Sequence, residues 1–136
     1  MHLYVREDSR VAIGTFRWIA INVMNMETGS VSEQETREPE EGVHVTQLVA
    51  GENMNAQHFR FDPGATAMEH SHPSEQVVYL QQGTFTVIME GKEYEFEAGE
   101  SYVIPGGISH AAENRTDEPL AGIDIFSPTR NKTPWD

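Results

Sequence analysis

The stretch from Gly64 to Gly83 constrains this chain more than any other: a glycine opens a turn after Pro63, His70, His72 and Gln76 follow, and a second glycine closes the run. On an extended strand successive side chains alternate between faces, so His70 and His72 point to one side as a chelating pair. Positions 70, 72 and 76 share parity and Glu75 does not. An extended conformation that survives Pro73 therefore puts Gln76 on the inner face and turns Glu75 away. A second punctuated stretch, Gly99, Pro105-Gly106-Gly107, His110 and Asn114, brings a third imidazole in from a neighbouring strand.

Three imidazoles and one amide oxygen suit a single borderline divalent ion per chain, Zn, Ni, Co, Mn or Fe, with one or two positions left for water or substrate. His70, His72, Gln76 and His110 are the candidate metal ligands. All four are neutral, so the ion keeps its full double charge and is the stronger Lewis acid toward a carboxylate or hydroxyl, at some cost in affinity. One isolated histidine would read more simply as a hydrogen-bonded core residue; three at such punctuated positions point to metal. His2, His44 and His58 lie outside the pattern and read as surface or structural residues.

From Val43 onward the chain reads as short strands between turn residues: Val43 to Val49, Met54 to Phe61, Gln76 to Leu80, Phe85 to Glu90, Glu93 to Glu97, Tyr102 to Ile104, and Leu120 to Phe126. Even spacing with Gly, Pro, Asn and Asp between them predicts an all-β sandwich or barrel. Glu90-Gly91-Lys92-Glu93 is a tight hairpin signal. Val11 to Met26, rich in β-branched and aromatic residues, reads as one or two strands with Gly14 as a bulge or bend. Ser30 to Gly42 is acidic and polar and reads as a loop or linker. The expected organisation is residues 1–41 as an N-terminal strand segment plus acidic linker, 42–130 as one barrel, and 131–136 as a tail. The extra N-terminal segment could add to the barrel edge or cross to a second subunit, which suggests a homodimer.

A chain of 136 residues has room for one core. Its 22 acidic and 9 basic side chains leave a net charge of −13, which repels phosphate backbones and argues against nucleic-acid partners. The absence of cysteine removes disulfides and thiolate metal sites from consideration. No charged-then-apolar leader opens the chain and no run approaches the roughly 20 apolar residues of a membrane span, so no membrane association and a cytoplasmic location are expected.

The two punctuated stretches resemble both sequence motifs of the cupin superfamily. The second fits at every fixed position; in the first, Gln76 stands where most members carry glutamate. The resemblance covers Gly42 to Arg130 and implies a small antiparallel β-barrel, or jelly roll, with a metal inside. His70-Ser71-His72-Pro73-Ser74-Glu75-Gln76, together with Asp124-Ile125-Phe126-Ser127-Pro128-Thr129-Arg130, is similar to the pectin-degradation cupins, which linearise 4,5-unsaturated uronate monomers to 5-keto-4-deoxyuronates. That resemblance implies a sugar-acid substrate and metal ligation by His70, His72, Gln76 and His110. It also implies catalytic and binding roles for Asp124, Phe126 and Arg130. Ser127-Pro128 could equally end a last strand whose Phe126 is core and whose Asp124 is merely hydrogen-bonded. Two other functions stand beside ring opening: a dioxygenase of the flavonol or small-phenol type, and a non-enzymatic metal- or sugar-binding module.

Overall fold

The structure, a computed structural model, describes the backbone of residues 10–13 and 17–20 and the chain from 26 to 130. Short runs of alternating apolar and polar residues become strands, as expected from residue 43 onward. The barrel strands are β3 (Thr36–Glu40), β4 (Val43–Ala50), β5 (Asn55–Phe61), β6 (Thr66–His70), β7 (Glu75–Gln82), β8 (Thr84–Met89), β9 (Lys92–Glu97), β10 (Ser101–Ile104), β11 (His110–Glu113) and β12 (Leu120–Ser127). They form a six-stranded sheet in the order β10-β7-β12-β5-β4-β3 and a four-stranded sheet in the order β6-β11-β8-β9. Every pairing is antiparallel. This is the all-β jelly roll anticipated from the sequence. No described helix is long and apolar enough to cross a membrane.

The inward halves of the alternating strands make one core: Val43, Val45, Phe59, Phe61, Val78, Leu80, Phe85, Val87 and Leu120 are all buried together. Phe59 stacks on Phe85 at 5.4 Å, and Phe61 meets Phe85 edge-on at 4.9 Å. Each such side chain removed from water contributes roughly 1.5–3 kcal/mol. Several of these core residues, Val43, Val45, Phe59, Phe61, Phe85 and Val87, also line the cavity that the polar side chains of the barrel share.

Glu90 and Gly91 both have positive φ, 53° and 75°, and link β8 to β9 in the expected tight hairpin. Toward the N-terminus, β1 (Arg10–Ile13) and β2 (Arg17–Ala20) pair antiparallel with Val11 opposite Ile19. Val11 to Met26 thus supplies two strands, while Gly14 lies outside the described residues, as do His2 and the tail 131–136.

Two local expectations are corrected. Ser30 to Gly42 is not wholly a linker: Thr36–Glu40 forms edge strand β3, hydrogen-bonded to β4 and pinned by a Thr36 Oγ1 to Thr46 Oγ1 contact of 2.7 Å. An edge strand needs main-chain pairing more than an apolar face, so its acidic composition concealed it. The extended conformation also does not survive Pro73. β6 ends at His70, residues 71–74 are irregular, and β7 begins at Glu75 in the other sheet.

Candidate metal centre

The break at Pro73 brings the two sheets together at the barrel mouth. His70 closes β6 and His110 opens β11, and the two are direct cross-strand partners with ring centroids 4.5 Å apart. His72 sits in the irregular connection, with its ring 5.6 Å from that of His70 and 5.0 Å from that of His110. The Pro105-Gly106-Gly107 turn holds this connection by close main-chain packing. Gly107 N–H donates to His72 O at 2.8 Å, and a Cβ on Gly106 would lie 2.3 Å from Pro73 O. Asn114 performs a structural task nearby. Buried at 1% exposure, it donates through Nδ2 to the carbonyls of Phe61, Asp62 and Glu118, tying the turn before β6 to the loop after β11.

Each imidazole is oriented by a main-chain carbonyl: Nδ1 lies 3.1 Å from Met68 O in His70, 2.9 Å from Ser74 O in His72 and 2.9 Å from Ile108 O in His110. A carbonyl only accepts, so Nδ1 carries the proton and Nε2 keeps its lone pair, the arrangement found in metal-ligating histidines. Burial holds all three rings below the usual imidazole range, His70 at about 4, and the Arg130 cation adds to the effect, so the set is neutral. The ligand nitrogens lie within 4.8 Å of one another.

Two observations show that this set fits a cation. His110 Nε2 is buried with no hydrogen-bond partner, the orphaned atom that an electron-pair acceptor would satisfy. His72 Nε2 lies 3.0 Å from Gln76 Oε1, although both atoms are acceptors once Ser74 O has claimed the proton on Nδ1. Two lone pairs facing each other at that separation repel in isolation. They match two adjacent ligands on one ion, which stand about 3.0 Å apart for bonds of about 2.1 Å at a right angle. His70, His72 and His110 could therefore hold a metal ion.

Gln76 faces the histidines and Glu75 is exposed, as parity anticipated, although the two histidines and the glutamine converge from both sheets rather than along one strand. Gln76 Nε2 donates to Asp124 Oδ1 at 3.0 Å, and Gln57 Nε2 donates to Asp124 Oδ2 at 2.9 Å. Asp124 is buried, and burial raises its carboxyl to about 6 against the opposing pull of the two amides and Arg130. Phe126, also on β12 and 1% exposed, sets its ring edge-on to His72 at 5.5 Å. The Arg130 guanidinium carbon stands 5.3 Å over the Phe126 ring, and burial lowers this group's pKa. His70, Gln76, His110, Asp124, Phe126 and Arg130 line one cavity of about 70 Å3, whose wall also includes Phe59, Phe61 and Phe85.

Sequence reasoning missed Asn55 and Gln57, both buried, and the partly buried Gln47. The signal was available: they share parity with Val43, Val45, Phe59 and Phe61, so each is a polar residue on an otherwise apolar inner face. Of the histidines set aside, His44 hydrogen-bonds Asp62 at 3.1 Å, away from this cavity, and His58 takes no part in the cluster.

A two-sheet jelly roll with three histidines at its mouth is the cupin architecture. Residues 57–126, about half of the chain, match the cupin domain family, and the chain belongs to that family. Among solved structures it is similar to KdgF from Halomonas sp., with 28% identity and a TM-score of 0.70 over 79% of this chain and 97% of that one. An RmlC-like cupin from Shewanella frigidimarina is similar at 28% identity and a TM-score of 0.68, covering 78% and 97% of the two chains. Two Streptomyces proteins match by sequence. The tetracenomycin polyketide synthase protein TcmJ of S. glaucescens is 33% identical over 72 residues, covering 52% of this chain and 48% of that protein. The polyketide synthase CurC of S. cyaneus is 32% identical over 71 residues, covering 52% and 46%. The chain spans about half the length of these curated relatives.

Proposed function

We propose that this cupin opens the ring of 4,5-unsaturated uronate monomers to give 5-keto-4-deoxyuronate. In this reading His70, His72, His110 and Gln76 hold one divalent transition ion, and Asp124, Phe126 and Arg130 handle the substrate. The observation that carries the reading is Gln76, whose oxygen faces His72 while its nitrogen bonds Asp124, so that ligand cluster and carboxylate form one unit beside Arg130. The resemblance of residues 70–76 and 124–130 to the pectin-degradation cupins supports the substrate class, and similarity to KdgF from Halomonas sp. accords with it.

A bound ion would supply a positive centre for substrate oxygens. The Arg130 guanidinium clamps the uronate carboxylate through two parallel N–H donors. Asp124 takes the proton from the anomeric hydroxyl as that oxygen becomes a carbonyl and the bond from the anomeric carbon to the ring oxygen breaks. The ring oxygen leaves as an enolate, and Asp124 returns its proton to the unsaturated carbon, so the ketone forms without redox change or added water. Phe126 walls the sugar from solvent.

The test is ultraviolet absorbance of the 4,5-double bond conjugated to the carboxylate, followed with metal-loaded protein. Loss of the band with formation of an isomeric keto acid is expected; an unchanged band with every divalent ion overturns the reading. A homodimer is part of the proposal, and a monomeric mass by light scattering removes it.

A second reading, a cupin dioxygenase acting on a planar phenol, is favoured by the aromatic side chains of Phe59, Phe61 and Phe85 in the cavity wall. It ranks lower because Gln76 cannot serve as a base. Oxygen uptake with a phenolic substrate and no uronate turnover would select it.

A further inference from the structure

The polar groups of the site do not end at Asp124. A run of side-chain amides continues across the barrel mouth to the main chain of Arg130, and its direction can be read from that end. Arg130 N–H donates to Asn55 Oδ1, and Asn55 Nδ2 donates to Arg130 O at 2.8 Å. A main-chain N–H can only donate and a carbonyl can only accept, so this pair fixes which end of the Asn55 amide is oxygen. Asn55 Nδ2 also donates to Gln47 Oε1 at 3.1 Å, Gln47 Nε2 to Gln57 Oε1 at 2.6 Å, and Gln57 Nε2 to Asp124 Oδ2 at 2.9 Å. Each amide that accepts on one side has its NH2 left for the next. On the far side of Asp124, Gln76 has used its nitrogen on Oδ1, so its oxygen is what it presents to His72.

We propose that Asp124 sets the orientation of Gln76 and that the amide run behind it holds the carboxylate: Asp124 accepts from both sides, Asn55, Gln47 and Gln57 keep an NH2 on its Oδ2, and these four positioning residues turn the Gln76 oxygen, rather than its NH2, toward the three imidazoles. The inference rests on reading His70, His72, His110 and Gln76 as the ligand set. An amide NH2 has no lone pair to offer a cation, so the orientation decides whether Gln76 is a ligand at all. Asn55 and Gln57 are only 2% and 5% exposed, which keeps water from substituting for a reversed amide. Anchoring at Arg130 main chain also couples the residue that clamps the substrate carboxylate to the ligand that completes the metal set.

The test is Co2+ titration of the full chain, followed by calorimetry and by the visible absorption of the bound ion, in the parent, Asp124→Asn, Asp124→Ala and the double variant Asp124→Asn with Gln57→Glu. An amide at position 124 must give its oxygen to Gln57 Nε2, whose direction is set upstream. Its NH2 then faces Gln76, which turns its own oxygen away from the histidines. Alanine removes the same charge but leaves Gln76 unforced. A carboxylate at position 57 accepts that NH2 instead and frees the oxygen at 124 for Gln76.

Asp124→Asn should weaken Co2+ binding about 10- to 100-fold and shift the visible bands. Asp124→Ala should weaken it less, although it is the less conservative change. The double variant should return to within a few-fold of the parent while still lacking a carboxylate at 124. Parent-like binding by Asp124→Asn, weaker binding by Asp124→Ala than by Asp124→Asn, or a folded double variant that binds as poorly as Asp124→Asn overturns the inference. If the single variants do not fold by circular dichroism, the double variant against the parent decides alone: parent-like affinity supports the chain and weak affinity overturns it. A parent that binds no Co2+ overturns the ligand set and this inference together. No readout uses uronate, so failure of the ring-opening reading leaves the test intact.

Discussion

Replacing Arg130 by methionine separates substrate capture from metal binding. The side chain is half-buried, its guanidinium lies 5.3 Å over the Phe126 ring, and its main chain is held at both N–H and C=O by Asn55. Arg130→Met therefore removes the cation while the main-chain clamp and the apolar stem remain. Two charge-assisted hydrogen bonds to a substrate carboxylate are worth about 1.5–3 kcal/mol each at full desolvation. The open mouth lets water screen them, which brings the expected loss to about 2–4 kcal/mol. At 1.4 kcal/mol per tenfold, kcat/KM should fall about 30- to 700-fold, mostly through KM. The Arg130 cation disfavours positive charge on His70, His72 and His110, so its removal should leave Co2+ binding equal or tighter. Arg130→Lys keeps the charge without the planar fork and should recover only part of the loss. Initial rates of chromophore loss across uronate concentrations, paired with a Co2+ titration, check both halves. A parent-like KM in Arg130→Met, or lost metal, refutes the clamp.

His110→Ala should abolish stoichiometric Co2+ binding and cost the metal-free fold about 1–3 kcal/mol, because it removes the Nδ1–H bond to Ile108 O from a buried position although Nε2 has no partner to lose; urea unfolding and metal titration read the two. Gly106→Ala should cost about 1–3 kcal/mol and weaken metal binding, because its Cβ would press the main chain that carries His72; unchanged affinity would show that the turn does not hold the ligand. Leu80→Ala, at a position with no exposed surface, should cost roughly 2–5 kcal/mol in urea unfolding with Co2+ stoichiometry intact.

Much of this architecture was legible because its signals are local. Alternation marks β4, β5, β7, β8, β9, β10 and β12, and Glu90-Gly91-Lys92-Glu93 between two alternating runs marks the β8-β9 turn, whose Glu90 and Gly91 take positive φ. The histidines were legible through the glycine and proline residues around them, whose role is now physical: Gly106 lies against Pro73 O, where no side chain fits. Other features depend on long-range pairing. Thr36–Glu40 has no apolar face and becomes a strand only through its hydrogen bonds to β4. The parity argument placed Gln76 toward the histidines although the strand it assumed is broken at Pro73, because β7 re-enters the barrel from the opposite sheet. Asp124 and Phe126 shared a face on any reading, but only burial at 6% and 1% shows that it is the inner one. The amides of Gln47, Asn55 and Gln57 were overlooked because alternation was read for strands and not for what interrupted the apolar face.

The central claim is that the three histidines at the barrel mouth form a metal centre. The most direct measurement is the metal stoichiometry of purified, Co2+-reconstituted protein beside a variant with His70, His72 and His110 all replaced by alanine. The account predicts one ion per parent chain, a visible spectrum of nitrogen-ligated Co2+, and neither in the folded triple variant. Equal occupancy in the two proteins, or none in the parent under saturating Co2+, contradicts it.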